Sequence, residues 1–204
     1  IPQARVAYST VAQLAYIVLG AALANRDGVL GAGLHIATHA VGKITLFFCA
    51  GAIMVAAHKK NISDMDGLGR RMPFTMGAFF IASLSIIGLP PLGGSWSKWL
   101  LALGAADDHA IIIAVLMVSS LLNIGYLIPI PIRAFFFPEK APPSDEHAGA
   151  EHHDGEHGHG HGAHDHGEAP LACVIPLCVT AAGCVVLCFW AQQIVYFLMP
   201  LVAR

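Results

Sequence analysis

The chain has 204 residues, of which 56% are hydrophobic and 12% charged, with a formal net charge of −2. Soluble domains carry about twice that share of charged residues, so the composition excludes an ordinary soluble domain. The absence of a basic patch argues against nucleic-acid binding. Several apolar stretches exceed the roughly 20 residues that cross a bilayer. We therefore predict an all-α membrane protein.

Five membrane crossings can be assigned along the chain. Their predicted ranges are residues 4–25, 28–58, 73–106, 109–137 and 171–201. The third is interrupted at Pro90-Pro91-Leu92-Gly93-Gly94. The two prolines lack backbone donors and bias the residue before them away from helix. The segment after the interruption is too short to span alone, so we predict one broken crossing.

The second predicted crossing carries His35, His39 and Lys43 at intervals of four residues. This spacing places the three side chains on one helix face, about 6 Å apart along the axis. Titratable groups inside a membrane helix usually face a bundle interior or an ion path. Lys43 is roughly 20 Å from either end of the segment, too far to reach the interface. We predict a proton relay; the alternative is hydrogen bonding between helices.

The residue Lys98 follows the predicted break by about one helical turn. Broken helices commonly line ion sites in transporters, so we predict that Lys98 is a second relay group. The alternative is an ordinary loop, with Lys98 reaching the membrane interface beside Trp96 and Trp99. On the first helix, we predict that Tyr8, Ser9, Thr10 and Gln13 form structural hydrogen bonds between helices; the alternative is that they carry water.

Residues 138–170 differ abruptly in composition and contain eight of the twelve histidines. We predict a disordered loop that separates a relay domain, residues 1–137, from a final helix, residues 171–204. We expect no dedicated metal site, because ligands on a flexible loop have no fixed geometry. The alternative is weak metal binding by His152, His153, His157, His159 and His161.

The distribution of basic residues outside the helices predicts the orientation. Seven lie on one predicted side and two, Arg26 and Arg204, on the other. The side with more basic residues is cytoplasmic, which assigns the N-terminus and the histidine-rich loop to the cytoplasm and the C-terminus to the outside. The seven are Arg5, Lys59, Lys60, Arg70, Arg71, Arg133 and Lys140.

A series of motifs in this order resembles a known family. They are Ala7-Tyr-Ser-Thr-Val-Ala-Gln-Leu14, His35-Ile-Ala-Thr-His-Ala-Val-Gly-Lys43, Asp66-Gly-Leu-Gly-Arg-Arg-Met-Pro73, Gly88-Leu-Pro-Pro91 and Trp96-Ser-Lys98. From about Arg5 to Phe137 the chain resembles the antiporter-like membrane subunits shared by complex I (NADH:quinone oxidoreductase) and Mrp-type multisubunit Na⁺/H⁺ antiporters. The loop before Pro73 and the run after Lys98 resemble the Mrp-type D subunit more closely.

The resemblance implies a fold of about fourteen helices with two inverted five-helix repeats. This chain would hold most of the second repeat, as a C-terminal fragment. Lys43 matches the family's central lysine, His35 and His39 match its histidines, and Lys98 matches the lysine or glutamate of the second broken helix. Val41-Gly42 replaces two aromatic residues common in the family. The first repeat's relay groups have no counterpart, so only the exit half of a path is expected.

The resemblance implies proton translocation, with Na⁺/H⁺ exchange as an extension, by a subunit of a multisubunit bacterial plasma-membrane antiporter. A proton-pumping subunit of complex I is the alternative. The expected partners are other membrane subunits, the bilayer, H⁺ and Na⁺. Nucleic acid is not expected as a partner. No cofactor is predicted, so any oxidoreductase role would come from the complex. Two other classes remain: a metal-handling membrane protein that uses the histidine-rich loop, and a structural subunit without transport.

Overall fold

The computed structural model describes residues 2–57, 65–106, 110–138 and 168–202, with side chains from residue 7 onward. Most of the predicted histidine-rich loop lies outside these residues. Within them the chain is mostly helical and contains no strand, as predicted. The helices are α1 (Pro2–Ala22), α2 (Arg26–Ala57), α3 (Leu68–Arg71), α4 (Pro73–Ile87), α5 (Gly93–Gly104), α6 (Ala110–Leu127), α7 (Pro129–Phe136) and α8 (Leu171–Val202).

Helix α2 is the centre of the bundle and packs against α1, α4, α5 and α8. Its leucines Leu34 and Leu46 are fully buried. Small residues on α2 let neighbouring helices approach closely, as is usual for helix packing in membranes. A Cβ added at Gly33, for example, would lie 2.7 Å from Leu198 of α8. The face of α2 that carries the predicted relay residues is therefore enclosed by other helices.

Helices α4 and α5 follow one another along one side of α2. Their contacts with α2 run in reverse order of sequence: Gly104 meets Gly28, Leu101 meets Gly31, Gly93 meets Thr38, and Ile86 meets Gly42. A hairpin would bring both halves to the same part of α2, whereas these contacts advance steadily along it. The pair thus has the arrangement of a single interrupted helix.

The interruption is shorter than the sequence predicts. Helix α4 ends at Ile87, and Gly88 caps it in the left-handed conformation with φ 89°. Helix α5 already begins at Gly93, so Gly93 and Gly94 form its first turn instead of belonging to the break. A Cβ at Gly94 would lie 1.8 Å from the carbonyl oxygen of Ser85, so only glycine fits where α5 meets α4.

The predicted fourth crossing is two consecutive helices, α6 and α7, which meet at Ile128. Pro129 and Pro131 lack the backbone N–H groups that would continue one hydrogen-bonded helix. The short helix α3 packs on α7. Asp66, just before α3, is buried, and one carboxylate oxygen lies 3.6 Å from Nε of Arg133 on α7.

Within the described residues, three helical segments are long and apolar enough to cross a membrane: Arg26–Ala56, Ala110–Phe136 and Leu171–Val202. Two shorter apolar helices, Ala7–Ala22 and Pro73–Ile87, accompany them. Many large apolar side chains on the outside of the bundle are exposed, including Ile111, Val115 and Leu122 of α6. In water such a surface would be unfavourable, whereas in a bilayer it contacts lipid or another membrane helix.

Candidate functional site

The three titratable residues of α2 lie along one side of the helix, as their spacing predicts. His35 and Lys43 are 2% and 5% exposed, and His39 between them is half-buried. The rings of His35 and His39 are stacked, with centroids 6.0 Å apart and an interplanar angle of 15°. Nε2 of His39 is buried and has no hydrogen-bond partner among the described residues.

A polar stripe on α1 faces this side of α2. The stripe consists of Ser9, Gln13 and Tyr16, all buried. The ammonium of Lys43 donates a hydrogen bond to Ser9, and Oε1 of Gln13 lies 3.1 Å from Nε2 of His35. The predicted hydrogen bonds between helices are confirmed for Ser9 and Gln13, and their partners are Lys43 and His35. Tyr8 is instead 79% exposed.

Lys98 projects from the first half of α5 towards the end of α4. Its Nζ donates to the carbonyl oxygen of Ile87 at 2.8 Å and to the hydroxyl of Ser120 on α6 at 3.1 Å. Ile87 is the last residue of α4, where carbonyl groups lack a donor within the helix and the helix dipole favours a cation. The break between α4 and α5 therefore creates the binding position of this ammonium.

Tyr16 lies between His35 and Lys98, and sequence reasoning missed it. Its ring meets the His35 ring edge-on, with centroids 5.5 Å apart, and Nζ of Lys98 lies 5.1 Å from its centre. Its hydroxyl donates to Ser119 of α6 at 2.6 Å. The available signal was its position seven residues after Ser9, which places both on one helix face.

Ser97 joins α5 to the histidine pair and was also missed as a functional residue. Its Oγ lies 2.9 Å from Nδ1 of His35 and 3.0 Å from the carbonyl oxygen of Gly94. His35 thus contacts α1 through Gln13 and Tyr16, and α5 through Ser97. The four predicted relay residues lie in one cluster. Within it, His35 connects α2 to Lys98, because it contacts Tyr16, which Lys98 also contacts, and Ser97, the residue next to Lys98.

An apolar groove of about 660 Å³ lies beside Lys98, between α5 and α6. Leu116, Met117 and Leu121 of α6 form part of its wall, and Ser120 is one of its few polar members. Among the described residues, no group of three or more histidine, cysteine or acidic side chains could hold a metal ion. The five cysteines are not disulfide-bonded. The predicted metal-binding alternative falls on histidines outside the described part of the chain.

These helices form an integral membrane protein, with a buried cluster of titratable side chains beside a broken helix. Residues 3–123 match the family described as NADH:quinone oxidoreductase/Mrp antiporter, transmembrane. The chain therefore belongs to this family, as its motifs predicted.

Its relatives come from both branches of the family. The chain is 41% identical over 190 residues to NADH-quinone oxidoreductase subunit N of Desulforudis audaxviator, covering 93% of this chain and 36% of the relative. It is 34% identical over 134 residues to the Na⁺/H⁺ antiporter D subunit of Alkalihalophilus pseudofirmus, covering 65% of this chain and 27% of the relative. The chain thus spans about a third of the length of these curated relatives.

Solved structures show the same fold. A chain of the Mrp complex from Dietzia sp. superposes with a TM-score of 0.79 at 26% identity, covering 95% of this chain and 41% of that one. A chain of respiratory complex I from Thermus thermophilus superposes with a TM-score of 0.54 at 17% identity. The second similarity concerns the fold alone.

Proposed function

We propose that this chain translocates protons across the membrane as part of an antiporter-like subunit of a multisubunit complex. The observation that carries the proposal is the continuous cluster from Lys43 through His39 and His35 to Lys98. His35 and His39 stack, and His35 and Lys98 share the Tyr16 ring. Lys43 follows His39 by about one helical turn on the same face of α2. Imidazole and amine groups both gain and lose protons, so a chain of them can pass a proton in steps.

The order within the cluster determines the proposed route. His35 shares Tyr16 with Lys98 and contacts Ser97, the residue next to Lys98. We therefore propose that a proton moves between Lys43 and His39, then His35, then Lys98. Ammonium groups in one low-dielectric site repel each other, so a charge on one lysine disfavours a charge on the other. This repulsion would couple successive transfers.

The proposed architecture has five crossings, with α4 and α5 as one broken crossing. Together these two helices contain 27 residues, or about 40 Å of helix, enough for a hydrocarbon core about 30 Å thick. The described helices would form most of a second inverted repeat. The bias of basic residues supports a cytoplasmic N-terminus and residues 138–170 as a cytoplasmic loop. Labelling a cysteine at Ser144 from the outside only would contradict this orientation.

Two memberships each have an observation in their favour. The TM-score of 0.79 favours an Mrp-type antiporter, in which the coupled ion would be Na⁺. The 41% identity over most of the chain favours a complex I-type assembly, in which proton movement would depend on NADH oxidation. Measuring whether transport in membrane vesicles requires an imposed Na⁺ gradient or NADH separates them. The proposed proton relay is common to both.

Replacement of the lysines in the full-length protein, within its assembled complex, tests the proposal. Lys43→Ala and Lys98→Ala should each lower proton flux at least about tenfold, because each removes a proton-carrying group. Lys43→Arg should also lower it, since a guanidinium keeps its charge but does not release its proton. Ser83→Ala, which removes a buried hydroxyl from α4, is the matched control. Unchanged flux in assembled Lys43→Ala complexes would contradict the relay and favour a structural subunit.

The metal-handling alternative has its own test. Deleting residues 146–166 removes the histidine-rich loop but leaves every described helix intact. Under the proposed function, proton flux persists and growth does not depend on added metal. If the deletion abolishes metal-dependent growth but leaves proton flux intact, the metal-handling function is supported instead.

A further inference from the structure

The hydroxyl of Ser97 lies between two hydrogen-bonding groups at the first turn of α5. Its oxygen is 2.9 Å from Nδ1 of His35 and 3.0 Å from the carbonyl oxygen of Gly94. His35 and Ser97 are 2% and 0% exposed, so bulk water does not compete for these bonds. A hydroxyl has one donor and two acceptor sites and can rotate about its C–O bond. Ser97 can therefore either donate to Nδ1 or accept from it.

The other ring nitrogen of His35 has a partner of fixed character. Nε2 lies 3.1 Å from Oε1 of Gln13, which is an acceptor only. Nε2 therefore carries a hydrogen in both the neutral and the cationic imidazole. The proton that distinguishes the two charge states is then the one on Nδ1, which faces Ser97.

We infer that Ser97 is a positioning residue that lets His35 gain and lose a proton at Nδ1 while Nδ1 stays hydrogen-bonded. With a neutral ring, the hydroxyl donates to Nδ1. With a cationic ring, Nδ1–H donates to Oγ, and the hydroxyl turns its own hydrogen towards the carbonyl of Gly94. Ser97 keeps its proton in both arrangements. Once the hydroxyl has turned its hydrogen to Gly94, the lone pair of Nδ1 can accept a proton from the His39 side of the proposed route, and the proton later leaves towards Lys98.

This inference rests on the proposed function and deepens it. The titratable groups around His35 are Tyr16 on α1, His39 on α2 and Lys98 on α5. His39 and Lys98 become cationic on protonation. A cationic His35 ring therefore depends on a neutral oxygen as the acceptor at Nδ1. Without that oxygen, a charged N–H would be buried without a partner, which is strongly unfavourable.

The hydroxyl also connects the charge of His35 to the broken helix. The carbonyl of Gly94 belongs to the first turn of α5, which meets the end of α4 at Ser85. This carbonyl would receive the Ser97 hydrogen only when His35 is cationic. The first turn of α5, four residues before Lys98, would then be stabilised in step with the charge on His35.

The first test compares Ser97→Ala with Ser95→Ala in the full-length protein within its assembled complex. Ser95 is in the same turn, and its hydroxyl donates to the carbonyl of Leu92 at 2.7 Å. Each variant therefore loses one bond to a backbone carbonyl, but only Ser97→Ala removes the partner of His35. We expect about tenfold lower proton flux for Ser97→Ala and flux close to wild type for Ser95→Ala. Equal flux in the two variants would overturn the inference.

The second test uses a pair of the same shape, S97T and S97V. Threonine keeps the hydroxyl and valine replaces it with a methyl group, so packing is matched. We expect flux to be retained better in S97T than in S97V by about tenfold, and equal flux in the two would overturn the inference. His35→Ala separates this outcome from failure of the relay itself. If His35→Ala lowers proton flux while S97T and S97V have equal flux, the proposed function is supported and the role of Ser97 is contradicted.

Discussion

The ammonium of Lys98 lies 5.1 Å from the centre of the Tyr16 ring, at the junction of α1, α5 and α6. The same ring meets His35 edge-on, and its hydroxyl is anchored to Ser119. A cation over an aromatic face is stabilised by about 0.5–2 kcal/mol, more when it is desolvated. Tyr16 thus holds Lys98 within reach of the histidine pair without supplying a counter-ion.

We expect Tyr16→Leu to lower proton flux about tenfold, because Lys98 would lose the aromatic face that holds it beside His35. Tyr16→Phe keeps the ring and loses only the bond to Ser119, so its flux should stay within about threefold of wild type. Flux in vesicles that contain the assembled complex is the measurement. Tyr8→Leu is the control, since Tyr8 is on the same helix and is 79% exposed. Indistinguishable effects of Tyr16→Leu and Tyr8→Leu would contradict this role.

Gly94→Ala should destabilise the protein by at least about 2 kcal/mol, because its Cβ would overlap the carbonyl oxygen of Ser85. Gly77→Ala, on α4 of the same broken helix, is the control, since a Cβ there has no neighbour within 4 Å. The control should be neutral or slightly stabilising, because alanine is the better helix former. The midpoint of thermal unfolding of the purified complex measures both. A wild-type midpoint for Gly94→Ala would refute the close contact of α4 and α5.

Glu168, just before α8, caps the distant N-terminus of α4. Its carboxylate accepts from the backbone N–H of Phe74 at 3.2 Å and from the hydroxyl of Thr75 at 2.6 Å. Because the α4 N-cap residue, Met72, makes no side-chain capping bond, we expect Glu168→Ala to cost about 1–2 kcal/mol of stability.

A double-mutant cycle with Thr75→Val tests this cap. The two substitutions should be less than additive in the free energy of unfolding, since both remove the same bond. Strict additivity would show that Glu168 and Thr75 act independently. Glu168→Gln keeps one oxygen acceptor and should be intermediate between wild type and Glu168→Ala.

Much of the fold follows from local sequence patterns. The apolar stretches predict helices that agree with α1, α2 and α8 to within a few residues. The break was predicted from Pro90 and Pro91, but Gly93 and Gly94 were wrongly assigned to it. Gly94 allows the close approach of α5 to α4 at Ser85, and Gly93 allows that of α5 to Thr38 of α2 and Leu187 of α8. These are contacts between helices, which a sequence pattern does not contain. The division between α6 and α7, in contrast, has a local cause, because Pro129 lacks the backbone N–H that would continue one helix.

The site could be predicted only in part, for a related reason. The residues His35, His39 and Lys43 are recognisable because a cationic or titratable side chain is rare in an apolar segment. Tyr16 and Ser97 are not recognisable in that way, since tyrosine and serine are common in membrane helices and usually form structural hydrogen bonds. Their importance comes from contacts between helices: Tyr16 joins α1 to α2, α5 and α6, and Ser97 joins α5 to α2.

The sequence by itself determined that the protein is helical and membrane-embedded, that three titratable residues share one face of α2, and that a break precedes Lys98. These properties depend on hydropathy, on the period of the α-helix and on the missing donors of proline, all of which are local. Only the tertiary structure decided that α1 supplies the facing stripe and that His35 adjoins the Lys98 region. Those choices depend on contacts between residues 22 to 103 positions apart, which helix packing alone brings together.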